Sequence, residues 1–286
     1  MSKLIPNIRG PKLFQFDGDL ADAQFMKLLN AGGESISSEG IHGRVFQVRL
    51  KEAIYAVKVF NFVSLEDIRP PLLIDDKNLI SDNVIRHQLD PFFAECRAFG
   101  RLTTEKKDHN LAVRCHGYVY LSKSVEHRIE EQFGIHDWNR SPEDTDKPLR
   151  AIVKNYIRYH SFYRPSKLTL MRGKLEQLNE LGIYNMDIRT DNYLGGRLFD
   201  FSTAVTIPHI SFSLDFRTQA QILEDIEYDL ACFDAMIKPV IDQIDLTKMN
   251  RWENIRSRSE AAPVKVTETE PRRSHRLSLN KGVSKM

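Results

Sequence analysis

Two adjacent glycines, Gly195-Gly196, constrain the fold of this chain most, because they predict a tight hairpin over residues 193–199. Glycine accepts the positive φ that both central positions of a type I′ turn require. In such a hairpin, Asn192 and Asp200 emerge at the same end. Asp187 stands on the loop that leads to that end, so three oxygen-bearing side chains are predicted to converge.

The three converging side chains have the chemistry that phosphoryl transfer requires. Asn192 and Asp200 offer an amide oxygen and a carboxylate, which are hard ligands suited to Mg²⁺. Asp187 is a second carboxylate, placed to accept a hydroxyl proton, and phosphoryl transfer needs both metal ligands and a group that orients the nucleophile. A plainer alternative is that Asp187 and Asp191 cap turns and that Asn192 holds the entry of the hairpin.

A glycine-containing segment and a lysine within a strand lie upstream of this site. The segment Ser38-Glu-Gly40-Ile-His-Gly43-Arg-Val45 leads into a strand predicted over 44–50, and Lys58 stands within the next predicted strand, 54–60. A loop of this kind followed by a lysine in a strand is typical of a phosphate cradle. The plainer alternatives are a flexible loop and a lysine that snorkels from an edge strand.

Lys58 needs an anionic partner if it is buried, because an unpaired charge in an apolar strand is costly. Glu95, on a helix predicted over 91–103, is the favoured candidate. Glu66 and Asp67 are alternative partners, and Glu95 could instead be a solvated helix residue.

Hydrophobic periodicity over the rest of the chain predicts an α+β layout, with strands first and helices second. Helices are predicted over 20–30, 91–103, 166–181 and 218–242, and apolar runs occupy 111–121 and 149–157. A polar loop is predicted between these two runs, and residues 61–90 are predicted to be an insertion or an irregular loop.

Charge is divided unequally along the chain. The net charge is +2, but residues 251–286 hold nine Lys/Arg and four Glu, which makes this segment +5 and the first 250 residues −3. A mildly acidic body argues against a protein whose whole surface binds DNA. The tail sequence Arg272-Arg-Ser-His-Arg276 is typical of a nuclear-localisation or nucleic-acid-binding patch, unless it is simply a solvated tail.

Cysteine usage favours a reducing compartment, and hydropathy argues against a membrane-spanning segment. The three cysteines, Cys96, Cys115 and Cys232, are too few and too scattered for a disulfide framework. No run of about 18 apolar residues is present, so no membrane span is expected. These features predict a nuclear or cytoplasmic protein.

The order and spacing of the glycine segment, Lys58, Glu95, the Asp187–Asn192 loop and Asp200 match the protein-kinase signature set. The chain therefore resembles a protein-kinase-like fold over roughly residues 30–245. Four stretches also resemble the FTA-two subunit family of the fungal Sim-four kinetochore complex: Glu95–Leu102, Leu149–Ile157, Gly182–Tyr193, and Leu198–Ser202 through Ile210. This resemblance implies a fungal source, a centromere setting and protein partners among kinetochore subunits.

The resemblance implies a two-lobed α+β fold with a shortened C-terminal lobe that binds a nucleotide, ATP, with Mg²⁺. The implied divisions are an N-terminal extension (1–30), a strand-rich lobe (31–157) with an insertion at about 61–90 and a helical lobe (158–250). The charge-rich, apolar-poor composition of residues 251–286 predicts a disordered basic tail. The implied roles are catalysis by Asp187 and Arg189, metal binding by Asn192 and Asp200, and nucleotide binding by Gly40, Gly43, Val45, Lys58, Glu95 and the hinge Asn155–Ile157.

Several positions depart from the kinase pattern. Ser38 replaces the first loop glycine, Asn185-Met186 replaces the His-Arg before the catalytic Asp, and Ser202 replaces the glycine after Asp-Phe. No Ala-Pro-Glu sequence is present, and only about 20 of the residues after Asp229, which is expected to support the catalytic loop, are predicted to be ordered. A standard platform for peptide substrates is therefore expected to be incomplete.

The sequence is compatible with an enzymatic function and with a scaffold function. In the first, ATP–Mg²⁺ binds between the lobes and the protein transfers the γ-phosphate to a Ser/Thr hydroxyl. In the second, the protein is a catalytically weak or inactive pseudokinase that acts as a scaffold in a kinetochore or other nuclear complex. A small-molecule acceptor is a third hypothesis, which differs from the first only in the substrate.

Overall fold

The computed structural model describes residues 8–30, 42–69, 80–158 and 167–260. Its largest sheet is antiparallel and has five strands in the order β1-β2-β3-β5-β4. These strands are β1 (Gln24–Leu28), β2 (Gly43–Leu50), β3 (Ala53–Phe60), β4 (Cys115–Leu121) and β5 (Leu149–Asn155). The protein is therefore a mixed α/β protein, as the sequence predicted.

Helices and short strand pairs complete the fold. The helices are α1 (Leu65–Ile68), α2 (Asp82–Leu89), α3 (Pro91–Thr104), α4 (Asp108–Leu111), α5 (Lys123–Phe133), α6 (Leu168–Glu180) and α7 (Gln219–Glu260). The short strands are β6 (Ile183–Tyr184), β7 (Tyr193–Leu194), β8 (Arg197–Leu198) and β9 (Val205–Thr206), and β6 pairs with β9 while β7 pairs with β8.

The β2–β3 hairpin is the centre of the sheet and confirms the two strands predicted from sequence. Lys51 takes a positive φ of 54° in the turn, and the register sets Val45 opposite Lys58. Gly43 allows the strands to approach, because a Cβ there would lie 2.4 Å from the Val59 carbonyl oxygen. Alternate residues of β2, among them Phe46 and Val48, are fully buried.

Helix α3 packs beside the sheet and is also confirmed. The Asp90 side chain caps its first turn by accepting a hydrogen bond from the Phe92 N–H, and Pro91 occupies the first helical position, where no N–H is needed. Asp90 also pairs with Arg150 of β5 at 2.5 Å. Cap and ion pair together fix the start of α3 against the sheet, which determines where Glu95 lies.

The helix predicted over residues 20–30 is wrong. A single 3₁₀ turn covers Leu20–Asp22, and the following residues form β1, the edge strand of the sheet. The Phe25 ring packs on the Phe46 ring at 5.5 Å, so burial against β2 overrides the helical spacing. The predicted N-terminal extension, 1–30, thus contributes a strand to the sheet.

Two predicted loops contain helices. Within 61–90, Ser64 caps α1 and the helix α2 buries Ile85, so the described part of this segment is partly regular. Helix α5 lies in the stretch predicted as a polar loop; it is capped by Ser122 and buries Val125. Both helices were missed because each presents a narrow apolar stripe among many polar residues.

The chain divides into two compact units, Met1–Val240 and Ile241–Met286. Helix α6 confirms the predicted helix over 166–181, and the predicted stop residue Gly182 takes a positive φ of 71°. Helix α7 continues to Glu260, beyond the predicted end at residue 242, so residues 251–260 of the predicted tail are helical. The remainder of that tail, 261–286, lies outside the described residues.

A search of the described helices finds none with the length and apolar character needed to cross a membrane.

The protein is expected to lose stability in acid, because two of its histidines are buried. Burial, assisted by the charge of Arg97, lowers the pKa of His87 and of His209 from 6.5 to about 4. The two imidazoles therefore bind protons more readily in the unfolded chain than in the folded protein. The free energy of unfolding is expected to be highest above pH 6.5 and to fall by about 3 kcal/mol for each histidine as the pH drops towards 4. Urea denaturation at several pH values measures this slope.

A variant separates this effect from the general acid response of the protein. His87→Phe should reduce the loss of stability between pH 6.5 and pH 4 by about half, since one of the two titrating groups is removed. His109→Gln, at an exposed position, is the matched control and should leave the slope unchanged. An unchanged slope in His87→Phe would show that the buried imidazole does not titrate as described.

Candidate functional site

A buried cluster of two lysines and two carboxylates joins the sheet, α3 and the segment after β8. Lys58 Nζ donates to Glu95 Oε2 at 3.0 Å and to Asp200 Oδ1 at 2.6 Å. Lys154 Nζ donates to Glu95 Oε1 at 2.6 Å and to the Phe199 carbonyl oxygen at 2.8 Å. The pairing of Lys58 with Glu95 that the sequence favoured is therefore present, and Lys154 and Asp200 extend it.

Strand geometry explains why these side chains meet. Ala56 and Lys58 are two residues apart on β3 and so face the same side of the sheet. Lys154 is the register partner of Ala56 on β5, which brings the second lysine to the same face. Glu95 approaches from α3 and is 0% exposed, so each of its oxygens depends on a lysine for compensation.

The charges of the cluster stabilise one another. Burial alone would lower the pKa of Lys58, but Asp200 and Glu95 outweigh burial and raise it. Burial alone would raise the pKa of Asp200, but Lys58, then Lys154, hold it well below its usual range. Both groups are therefore charged at neutral pH.

The loop before β7 presents the other two predicted side chains. The Asn192 amide nitrogen donates to the Asp187 carbonyl oxygen at 2.7 Å and to Asp187 Oδ2 at 2.9 Å. Arg189 Nη2 lies 3.3 Å from the same Asp187 oxygen, and the Asp187 side chain is 36% exposed. Asn192 is thus buried and fixed, while Asp187 remains accessible to solvent.

Asp229 of α7 holds this loop by its backbone, as predicted. Its two oxygens accept hydrogen bonds from the N–H groups of Asn185 at 2.6 Å and Met186 at 2.8 Å. Met186 has a left-handed φ of 62°, which is unfavourable for a methionine and needs such support. The Asn185 side-chain amide also donates to the Asp200 carbonyl oxygen at 2.7 Å, so Asn185 links the loop that Asp229 holds to the segment that carries Asp200.

The predicted glycine hairpin is confirmed. Strand β7 pairs with β8 across Gly195 and Gly196, which take φ values of 58° and 76°. The Phe199 N–H donates to the Asn192 carbonyl oxygen at 3.2 Å, which brings Asn192 and Asp200 to the same end of the hairpin.

A cavity of about 270 Å³ adjoins the lysine–carboxylate cluster. Its lining includes the predicted residues Val45, Lys58, Asn155, Ile157 and Asp200 together with Leu29, Asn30, Ala56, Val113, Lys154, Tyr156, Asp191, Leu194 and Phe199. The lining is mainly apolar at the strands and charged at the cluster, which is the usual character of a ligand pocket.

Of the two predicted loop glycines, only Gly43 lies within the described residues. It does not line this cavity and instead allows the close approach of β2 to β3. Gly40 lies outside the described residues. Asn30, which sequence analysis missed, receives the Val45 N–H at 2.9 Å and donates to the Gly43 carbonyl oxygen at 3.0 Å. The sequence around Asn30 has no pattern that would identify its role, because both of its hydrogen-bond partners are backbone groups of β2.

Ser202, at a position where the kinase pattern has glycine, contacts the start of β2. His42 Nδ1 lies 2.9 Å from Ser202 Oγ, and the Ser202 N–H donates to Asp200 Oδ1 at 2.9 Å. Burial, then the nearby Lys58, lowers the pKa of His42, so its imidazole is neutral at pH 7. This contact connects β2 to the segment that carries Asp200.

Two side chains at the end of the hairpin have the oxygen chemistry of magnesium ligands. Within the described ranges, no group of three His, Cys, Asp or Glu residues could hold a metal ion by itself. Mg²⁺, however, is usually bound by one or two protein oxygens together with substrate phosphates and water. Asp200 and Asn192 supply a carboxylate and an amide oxygen of this kind.

Fold and site together define a mixed α/β protein whose antiparallel sheet carries a buried lysine–carboxylate cluster beside an apolar cavity. The chain belongs to the family described as kinetochore Sim4 complex subunit FTA2, whose model matches residues 1–205. This match confirms the resemblance to the FTA-two family seen in the sequence, and it includes Lys58, Asp187 and Asp200 but not Asp229. A comparison with curated proteins finds no match.

Proposed function

We propose that this protein is a kinase-like kinetochore subunit that binds ATP with Mg²⁺ in the cavity beside the cluster. One observation carries the proposal: Lys58 is bonded to both Glu95 and Asp200, directly beside the cavity. A buried lysine held by a helix carboxylate and facing a second carboxylate is the arrangement that nucleotide phosphates and a metal ion need.

The two-lobed kinase-like fold is part of the same proposal. Its support is the five-stranded antiparallel sheet with α3 beside it, followed by a loop that Asp229 anchors from α7. The family of kinetochore complex subunits to which the chain belongs supports protein partners within such a complex and a nuclear location.

In this proposal, each part of the nucleotide would contact a chemically suitable group of the chain. Lys58 would bind phosphate oxygens, and Asp200 and Asn192 would hold Mg²⁺. The apolar side chains of Val45, Ala56 and Val113 would cover the base, with the backbone of Asn155–Ile157 offering hydrogen bonds. The metal ion would neutralise phosphate charge when bound.

Calorimetric titration of ATP in the presence of Mg²⁺ tests this proposal. Wild-type protein should bind saturably, and Lys58→Met should bind at least tenfold more weakly, because a charge-assisted phosphate contact is lost. Lys147→Met, at a half-exposed lysine paired with Asp144, is the matched control and should bind as wild type does. Equal affinities of wild type and Lys58→Met would contradict the proposal.

Phosphoryl transfer is a second candidate function, favoured by the accessible carboxylate of Asp187 beside Asn192. Asp187 would orient a Ser/Thr hydroxyl and accept its proton. Purified protein should then transfer labelled phosphate from ATP, and Asp187→Asn should reduce the rate by a factor of about 10² or more.

The alternative to catalysis is a pseudokinase scaffold. Met186, Asn185 and Ser202 stand where the kinase pattern has other residues, and they support this alternative. Steady transfer by wild type that is absent in Asp187→Asn would exclude it. Nucleotide binding with equal, background transfer by both proteins would count against catalysis and leave the scaffold role as the remaining alternative.

A further inference from the structure

Lys154 is a second buried lysine at the cavity, and the nucleotide-binding proposal assigns it no role. Its side chain is 4% exposed, and its ammonium group contacts Glu95 Oε1 and the carbonyl oxygen of Phe199. The ammonium group also lies 5.8 Å from the centre of the Phe99 ring. Lys154 is therefore fixed in place by α3, by β5 and by the residue that precedes Asp200.

Lys154 changes the charge of the cluster. The four groups joined by ion pairs are Lys58, Lys154, Glu95 and Asp200, and their charges sum to zero. Without Lys154 the sum would be −1, and an anionic ligand would meet net repulsion unless a metal ion accompanied it.

The other charged groups near the cavity do not cancel this contribution. Asp187 has Arg189 as an ion-pair partner, and His42 is neutral at pH 7 because burial and Lys58 lower its pKa. Asp191 lines the cavity but is exposed, so solvent screens its charge.

Lys154 also frees Lys58 to contact a ligand. Glu95 is bonded through both oxygens, one to each lysine. When Lys58 turns towards a phosphate, Glu95 keeps Lys154 as a partner, so this fully buried carboxylate is not left without a cation. If Lys58 were the only lysine, it could not pair with Glu95 and with the phosphate at the same time. The buried charge of Glu95 would then be uncompensated, at a large cost in free energy.

We propose that Lys154 enables this cavity to bind a nucleotide polyphosphate without a divalent cation. The inference rests on the proposed function, since it concerns the same cavity and the same Lys58. Lys154 acts here as a positioning residue that supplies charge and holds Glu95. At an effective dielectric constant of about 20, one nearby unit charge changes affinity for a singly charged group by roughly tenfold or more.

Calorimetric titration of ATP in excess EDTA and in excess Mg²⁺ tests the inference. Wild type should bind in both conditions, with affinities within about tenfold of each other. Lys154→Met should lose roughly tenfold or more affinity in EDTA and clearly less in Mg²⁺, because the metal ion replaces the missing charge. Lys154→Arg, which keeps the charge, should restore binding in EDTA.

The controls separate this inference from the proposed function. Lys123→Met, at an exposed lysine of α5, should match wild type in both conditions. Wild-type binding in Mg²⁺ but not in EDTA would overturn the role of Lys154 and leave the proposed function standing. Absence of binding in both conditions would overturn both. If Lys154→Met does not fold, the wild-type comparison and Lys154→Arg decide the matter.

Discussion

Glu95→Gln is expected to lower the free energy of unfolding by about 3–5 kcal/mol, the cost of removing one partner from a buried ionic cluster. In the native protein, Lys58 and Lys154 each donate to one oxygen of this carboxylate. Glutamine offers one acceptor oxygen and turns an NH₂ group towards the other lysine. Two buried ammonium groups would then share a single carboxylate, that of Asp200.

Urea denaturation followed by circular dichroism measures this loss. Glu131→Gln is the matched control, because Glu131 lies on an exposed turn of α5 and pairs only with His127 among the described contacts. The control should change stability by less than about 1 kcal/mol. A similarly small effect for Glu95→Gln would show that the cluster does not depend on its central carboxylate.

Asp229→Asn is expected to cost about 2–3 kcal/mol of stability, because it removes a charged acceptor of two buried backbone hydrogen bonds. The asparagine NH₂ would face the N–H of either Asn185 or Met186, which leaves one buried donor without an acceptor. The left-handed backbone of Met186 would lose its support, so the Asp187 loop should also become less ordered.

The same denaturation experiment, together with hydrogen exchange, measures both effects of Asp229→Asn. Faster exchange should be confined to residues near Asn185 and Asp187 under native conditions. Asp234→Asn, five residues further along α7, removes an exposed pair with Arg172 and should cost less than about 1 kcal/mol. Equal losses for the two variants would contradict the anchoring role of Asp229.

The parts of the site that could be predicted from sequence are those fixed by local chemistry. Gly195-Gly196 determines the turn, and the turn determines that Asn192 and Asp200 share one end of the hairpin. Asp90-Pro91 similarly fixes the start of α3, which brings Glu95 to Lys58. In each case residues adjacent in sequence decide the backbone geometry.

The parts that could not be predicted depend on contacts between distant segments. Residues 24–28 have helical spacing but form a strand, since the Phe25 ring is buried against Phe46. Lys154 was missed although it stands in an apolar strand as Lys58 does, and the same argument about buried charge would have identified it. Asn30 has no such signal, because its importance comes from two backbone groups of β2.

A thermal-shift titration tests most directly whether the cavity beside Lys58 and Asp200 binds ATP with Mg²⁺. Wild-type protein should show a saturable rise in Tm at low millimolar ATP or below, since a ligand that binds only the native state stabilises it. Addition of Mg²⁺ should increase the shift in wild type but not in Asp200→Asn, which lacks the carboxylate proposed to bind the metal ion. No rise in wild-type Tm at saturating ATP and Mg²⁺, or an equal effect of Mg²⁺ on wild type and Asp200→Asn, would contradict the account.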